Sequence, residues 1–94
     1  MKAYIVSDSK SGKKNIDGIY YLITEDGCCW YSHWCSNMGY ALGDLYDNRP
    51  ERKAELADKY GEVEVLYLGE DGMTNSELIA KNHAWHKEHQ AEQI

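Results

Sequence analysis

Phenylalanine is absent from this 94-residue sequence and proline occurs once, whereas there are eight tyrosines and three tryptophans. Phenylalanine fills a dry core without hydrogen-bond obligations, but tyrosine and tryptophan carry a polar group that favours half-wet positions and interfaces. This choice of aromatic residues mildly favours a protein that binds another molecule through its surface. The alternative is that the tyrosines line the edge of the core with their hydroxyls facing water.

Long apolar runs and a secretory signal are also missing. No apolar stretch approaches the roughly 20 residues that a membrane-spanning helix needs. Met1-Lys2 is followed by an apolar run only as long as a strand, which is too short for a signal peptide. The three cysteines, an odd number, favour free thiols in a reducing compartment. The sequence therefore predicts a cytoplasmic protein that does not act at a membrane.

Lysine and arginine are absent from two long segments, residues 15–48 and 60–80, and both segments contain several acids. Together with the formal net charge of −6, this distribution repels phosphate and disfavours direct nucleic-acid binding. An acidic surface suits a basic protein partner, including the nucleic-acid-binding groove of another protein. The simpler alternative is that the acids only keep the protein soluble.

The order of strand and helix signals predicts the fold class. The chain is 43% hydrophobic and 28% charged, as in globular proteins, and its length fits a single domain over residues 1–94. Strands that precede helices without regular βαβ alternation predict an α+β fold in the order β-β-β-α-α-β-α, with a small, mainly antiparallel sheet and helices packed on one face. The polar segments 7–15 and 87–94 are predicted to be a mobile loop and a frayed C-terminal tail.

Local signals place the three helices. An apolar stripe at helical spacing predicts the first helix after Ser36, and it consists of Met38, Ala41, Leu42, Leu45 and Tyr46. Pro50 and Gly61 are typical of the start and the stop of a second helix. Thr74 and Glu77 have the spacing of a capping box, which predicts the start of the last helix.

The cysteine-rich stretch at residues 28–35 is predicted to be the second arm of a hairpin, with Asp26-Gly27 as a two-residue turn. This register pairs Ile19 with Trp34 and Ile23 with Trp30, and we expect these four side chains on the core face. The opposite face then carries Tyr20, Leu22, Cys29, Tyr31, His33 and Cys35. Because this second face is also far from polar, we expect something to cover part of it.

Two metal-site hypotheses arise from thiol and imidazole groups, which are the ligands that tetrahedral zinc prefers. Cys29, His33 and Cys35 share one side of the predicted strand, while Cys28 points away. His83, His86 and His89 recur every three residues on the last helix, so that one adjacent pair is able to chelate. The spacing matches no known zinc knuckle, since there is no Cys-x-x-Cys pair. Soluble histidines at a helix end are the alternative.

A nucleophilic cysteine is a further hypothesis. Cys35 lies just before the predicted helix that starts at Ser36, and a helix N-terminus lowers the pKa of a thiol. His33 is two residues away on the same side of the strand and is a candidate base. The sequence suggests no third member of a triad, and a buried, inert thiol is the usual state of a free cysteine.

The preferred hypothesis is recognition of another protein without catalysis. In size and charge the chain is similar to small inhibitors and adaptors that phages and mobile elements encode, although this likeness identifies no family. It implies steering toward a basic partner and anchoring by aromatic side chains. We predict no cofactor, and a homodimer through the hairpin's second face is an alternative. The predicted partner-binding residues are Tyr20, Trp30, Tyr31, Asp44 and Asp47.

Overall fold

A computed structural model describes residues 1–7 and 17–89. In these residues the chain forms four strands, three α-helices and one π-helical segment between the first two helices. The strands are β1 (Lys2–Ser7), β2 (Gly18–Thr24), β3 (Cys29–Cys35) and β4 (Glu64–Tyr67). The helices are α1 (Met38–Leu42), α2 (Pro50–Tyr60) and α3 (Asn75–Glu88), and the π-helical segment spans Gly43–Asp47. The predicted α+β class and element order are confirmed.

The sheet is mixed and not purely antiparallel. Its strand order is β3-β2-β1-β4, in which β1 pairs antiparallel with β2 and parallel with β4. The connection from β3 to β4 runs through α1 and α2, a crossover long enough to bring β4 beside β1 in the same direction. Strand periodicity in the sequence does not reveal this direction, because it reports only which side chains share a face.

The described ends of the two polar segments belong to regular elements. Ser7 belongs to β1, and residues 8–15 of the predicted mobile loop lie outside the described residues. Lys87 and Glu88 belong to α3, and residues 90–94 of the predicted tail also lie outside the described residues. The capping box at the start of α3 is present, since the Glu77 N–H donates to Thr74 Oγ1 and the Thr74 N–H donates to Glu77 Oε2, both at 3.2 Å.

The hairpin turn contains one residue more than the predicted two-residue turn. The Gly27 N–H donates to the Thr24 carbonyl at 2.8 Å, and the Thr24 N–H donates to the Cys28 carbonyl at 3.0 Å. Gly27 has a φ of 98°, which favours glycine and is typical of the last residue of a three-residue hairpin loop. The longer loop pairs Ile23 with Cys29 in place of Trp30.

A β-bulge at Trp30 restores the predicted register along the rest of the hairpin. Beyond the bulge, Ile19 pairs with Trp34 and Leu22 pairs with Tyr31, as the sequence predicts. The extra residue changes the side of the strand on which its neighbours lie. Trp30 therefore joins Tyr31 on one face of the sheet, and Cys29 pairs with Ile23 on the other.

The prediction of which face of the hairpin packs on the main core is wrong. The main core includes the side of β2 that carries Tyr20 and Leu22, together with Ile5 of β1, and it is covered by α1, the π-helical segment and α2. Ile19 and Trp34, which were predicted to be buried, are 37% and 54% exposed.

The sequence predicts that all helices pack on one face of the sheet, but the structure has helices on both faces. Leu78 of α3 packs against Tyr4 and Val6 on the opposite face of the sheet from α1 and α2, and forms a second, smaller core there. Side chains on both faces of β1 are apolar and buried, so each face of this strand needs a covering layer.

A glycine lets α3 approach the hairpin turn closely. A Cβ atom on Gly27 would lie 2.2 Å from the carbonyl oxygen of Lys81, so no other residue fits without a backbone shift. The side-chain amide of Asn82 donates to the carbonyl of Gly27 at 2.8 Å. These contacts fix α3 against the tip of the hairpin and leave the other end of β2 and β3 uncovered.

Candidate functional site

Tyr20, one of the predicted partner-binding residues, lies inside the main core. Its exposed fraction is 0%, and it packs with Leu22, Leu45 and Leu56. The prediction placed Tyr20 on the outer face of the hairpin because it assigned Ile19 and Ile23 to the core. A partner therefore has no access to Tyr20 in this structure.

Trp30 and Tyr31 contact α2 and hold it against the hairpin. The Trp30 indole N–H donates to Thr24 Oγ1 at 3.3 Å, and the Tyr60 ring packs edge-on against Trp30 at a centroid distance of 5.9 Å. The Tyr31 ring lies 4.3 Å below the guanidinium carbon of Arg52, and its hydroxyl donates to a carboxylate oxygen of Glu55. Both aromatic side chains are half-buried, so the predicted anchoring residues already have intramolecular partners.

Asp44 and Asp47 lie at the two ends of the π-helical segment. The Asp47 carboxylate forms an ion pair with Lys53 at 3.6 Å, and both side chains are well exposed. The backbone carbonyl of Asp44 accepts hydrogen bonds from Arg49 Nε and Arg52 Nη1, both at 3.1 Å. Both acidic residues that the sequence predicts as partner-binding therefore have cationic side chains beside them.

An apolar surface is exposed on the face of the sheet that α3 covers. Ile19 and Trp34 are paired residues on neighbouring strands, so their side chains lie side by side on this face. Ile79 of α3 lies near Ile23, toward the hairpin turn on the same face. It is 47% exposed, and both residues line a small cavity of about 60 Å³. We call this surface the exposed strip. It consists of the exposed residues Ile19, Trp34 and Ile79 and of the half-buried residues Tyr21 and Ile23 between them.

A separate cluster of polar groups lies on the opposite face of β3. One ligand atom each from His33, Cys35 and Asp44 lies within 4.8 Å of the other two. Sγ of Cys35 is 4.0 Å from Nδ1 of His33, and Nδ1 is 2.5 Å from the Trp34 carbonyl oxygen. Cys35 is buried, Asp44 is half-buried and His33 is exposed, so the cluster opens to solvent on the histidine side.

The bulge at Trp30 explains why Cys29 is not part of this cluster. Sequence alternation predicts that Cys29, His33 and Cys35 share one side of the strand, but the extra residue moves Cys29 to the other face. Asp44 takes the third position instead. The residues within the described ranges form no comparable group of three around His83, His86 and His89.

The environment of Cys35 and of Cys28 raises the pKa of both thiols. Burial, followed by the nearby charge of Asp44, raises the pKa of Cys35 to about 11. Burial, followed by the charge of Asp26, also raises the pKa of Cys28 to about 11. The helix that was predicted to start at Ser36 begins at Met38, three residues after Cys35. A raised pKa favours the neutral thiol of both residues as long as no metal ion is bound.

Within residues 1–7 and 17–89, no helix is both long and apolar enough to cross a membrane. Comparison of the chain with protein-family models, with curated proteins and with solved structures finds no match. The geometry of its own side chains is therefore the basis on which a function is proposed.

Proposed function

We propose that this protein is a small acidic, non-enzymatic binding module of the inhibitor or adaptor type, and that it binds a basic protein partner through the exposed strip. The observation that carries the proposal is the exposure of Trp34 beside Ile19 on a regular strand pair. A tryptophan in this position exposes a large apolar surface to water, which binding would remove.

The rigidity of the strip supports its use in binding. Ile19 and Trp34 lie on paired strands of a four-stranded sheet, so their backbone is already ordered before a partner arrives. An interface built on such a scaffold loses little conformational entropy on association. Tryptophan is also among the residues that contribute most to binding energy in protein interfaces.

The charge of the chain supports a basic partner. The formal net charge is −6, and Asp17 is exposed next to the strand end that carries Ile19. A negative surface accelerates the encounter with a basic protein and disfavours acidic ones. The exposed Trp34 ring also suits a lysine or arginine side chain of the partner, because a cation is attracted to the face of an indole ring.

The partner-binding residues that were predicted from the sequence do not form the contact surface in this proposal. Asp44 and Asp47 contribute to the negative field, whereas Trp30 and Tyr31 stabilise the contact between the hairpin and α2. We also propose that the protein acts in the cytoplasm, where its three free cysteines stay reduced. A basic nucleic-acid-binding protein is one partner class that fits this surface.

The proposal is tested by substituting the exposed strip and following one partner. The tagged protein and a double variant with Ile19→Ala and Trp34→Ala are used to capture proteins from cells of the source organism. Tyr40→Ala is the matched control, since Tyr40 is a 61% exposed aromatic residue of α1 outside the strip. The captured partner is then purified, and its binding to each variant is measured by calorimetry at two salt concentrations.

We expect a basic partner whose affinity falls at least ~100-fold with the double variant, stays within about 2-fold with Tyr40→Ala, and weakens as salt rises. An affinity that is equal for the double variant and the wild type would overturn the proposal. So would a concentration-dependent homodimer that the double variant dissociates, because the strip would then bind a second copy of this chain.

A further inference from the structure

The cluster of His33, Cys35 and Asp44 combines three different metal-binding groups on two rigid elements. His33 and Cys35 are two residues apart on β3, and Asp44 belongs to the π-helical segment that packs against this strand. Imidazole, thiolate and carboxylate are all ligands of zinc, and a π-helical turn often marks a functional site. The cluster lies on the opposite side of β3 from Trp34, so it is separate from the exposed strip.

The position of Asp44 is fixed by its neighbours. The Asn48 N–H donates to the Gly43 carbonyl at 3.0 Å, the spacing that makes this turn π-helical. Two arginine side chains donate to the backbone carbonyl groups that the wider turn leaves open. Arg49, which precedes α2, and Arg52 of α2 donate to the carbonyl of Asp44, and Arg52 also donates to that of Leu45, all at 3.1 Å. These bonds fix the backbone of Asp44, whose carboxylate lies within 4.8 Å of the thiol of Cys35.

The distances fit a tetrahedral ion after a small adjustment. With usual zinc–sulfur and zinc–nitrogen bond lengths, the sulfur and nitrogen atoms of a tetrahedral site are ~3.6 Å apart. The observed distance between Cys35 Sγ and His33 Nδ1 is 4.0 Å. A rotation of the exposed His33 side chain would close this difference, and the Asp44 carboxylate lies within 4.8 Å of both atoms.

We propose that His33, Cys35 and Asp44 bind a Zn²⁺ ion, with a fourth coordination position left open for water or a ligand. The ion replaces the proton on Cys35 Sγ, while the ring proton of His33 that faces the Trp34 carbonyl shifts from Nδ1 to Nε2 and frees Nδ1 to bind the ion. One thiolate and one imidazole favour Zn²⁺ over Mg²⁺ or Ca²⁺, which bind oxygen ligands. The exposed side of His33 provides the route by which the ion enters.

The test measures metal binding by the purified chain, without reference to any partner. Co²⁺ replaces Zn²⁺ as a spectroscopic probe, because a thiolate ligand produces a charge-transfer band and a tetrahedral site produces visible bands. Zn²⁺ affinity is then measured by competition. The variants are Cys35→Ser, His33→Gln and Asp44→Asn. Cys29→Ser is the matched control, as it removes an exposed thiol from the same strand outside the cluster.

We expect one Co²⁺ per chain with a charge-transfer band that Cys35→Ser abolishes and Cys29→Ser preserves. His33→Gln and Asp44→Asn should each weaken Zn²⁺ binding at least ~100-fold, since even residues that only orient a ligand contribute roughly 10- to 100-fold. Because His33 is exposed, we expect His33→Gln to fold. The test therefore stays decisive even if Cys35→Ser, which changes a buried residue, does not fold. A Zn²⁺ affinity unchanged in His33→Gln, or lost in Cys29→Ser, would overturn the proposal.

Discussion

The two faces of the sheet differ in how completely they are covered. One face packs against α1, the π-helical segment and α2, and its buried residues include Tyr20, Leu22 and Leu56. Among the described residues, the other face is covered by α3 together with Leu68 and Met73, and the buried residues of its core are Tyr4, Val6 and Leu78. We infer that the first face supplies most of the stability, while the second is stable enough to hold α3 and still leaves Trp34 exposed.

The largest expected loss of stability comes from truncating one leucine in each core. Leu56→Ala and Leu78→Ala both truncate a side chain that is at most 1% exposed. We expect Leu56→Ala to lower the free energy of unfolding by about 3–5 kcal/mol and Leu78→Ala by about 2–3 kcal/mol, within the range for buried leucines. Leu78 already borders a small cavity, so its surroundings have room to relax. Chemical denaturation measures both values.

The leucine pair also has an outcome that contradicts the comparison. If Leu78→Ala destabilised the protein more than Leu56→Ala, the α3 side would be the more tightly packed core. The exposed strip would then need another explanation than a lightly covered face.

The second test concerns the contact between α3 and the hairpin turn. Gly27 and Gly69 have nearly equal φ angles of 98° and 99°, but only at Gly27 would a Cβ atom meet a neighbour. Gly69→Ala should therefore cost only the strain of a positive φ, about 1 kcal/mol, whereas Gly27→Ala should cost ~2 kcal/mol more because of the overlap with α3. Thermal unfolding of both variants measures the difference, and equal costs would show that α3 moves away freely.

The smallest expected effect concerns the titration of one tyrosine hydroxyl on each face of the sheet. Burial, aided by a carboxylate neighbour, raises the pKa of Tyr4 and of Tyr31 to about 12. A raised pKa means that each contributes stability below its ordinary pKa of about 10. That contribution is lost as the pH rises from about 10 to about 12. We therefore expect the free energy of unfolding to fall over this interval, as measured by denaturation at each pH.

Single substitutions separate the two tyrosines. Tyr4 donates to Asp71 Oδ2 at 2.8 Å, and Tyr31 donates to Glu55. Asp71→Asn should lower the pKa of Tyr4 alone, and Glu55→Gln that of Tyr31 alone, with each value staying above the ordinary one because burial is the larger cause. Ultraviolet titration of tyrosinate formation measures these shifts. A change in both tyrosines from one substitution would mean that the two faces are coupled.

The sequence predicts the positions of the elements because their signals are local. Pro50, Gly61 and the pair of Thr74 and Glu77 act within a few residues, and each lies where the structure begins or ends a helix. Local signals do not predict which side of the hairpin faces the core. Both sides are apolar, and the packing of α1, α2 and α3 on β1 decides between them.

The candidate metal site shows the same limit. Strand alternation is enough to predict that His33 and Cys35 lie together, as they do at 4.0 Å. The bulge that removes Cys29 depends on the turn geometry, which an Asp-Gly pair does not fix by itself. Asp44 reaches the cluster from another element, and no sequence spacing relates it to His33.

The loop and the bulge at Trp30 also bear on how this hairpin tolerates change in evolution. The loop carries one residue more than a two-residue turn, and the bulge absorbs that residue before the pairing of Leu22 with Tyr31. Deletion of one loop residue would let Ile23 pair with Trp30 and leave every pair beyond it intact. The same deletion would return Cys29 to the side of His33 and Cys35. A single-codon deletion at the tip would therefore exchange the side chains on the two faces of the sheet there and remove Trp30 from its contact with Tyr60, while the strand pairs beyond Leu22 and Tyr31 keep their register.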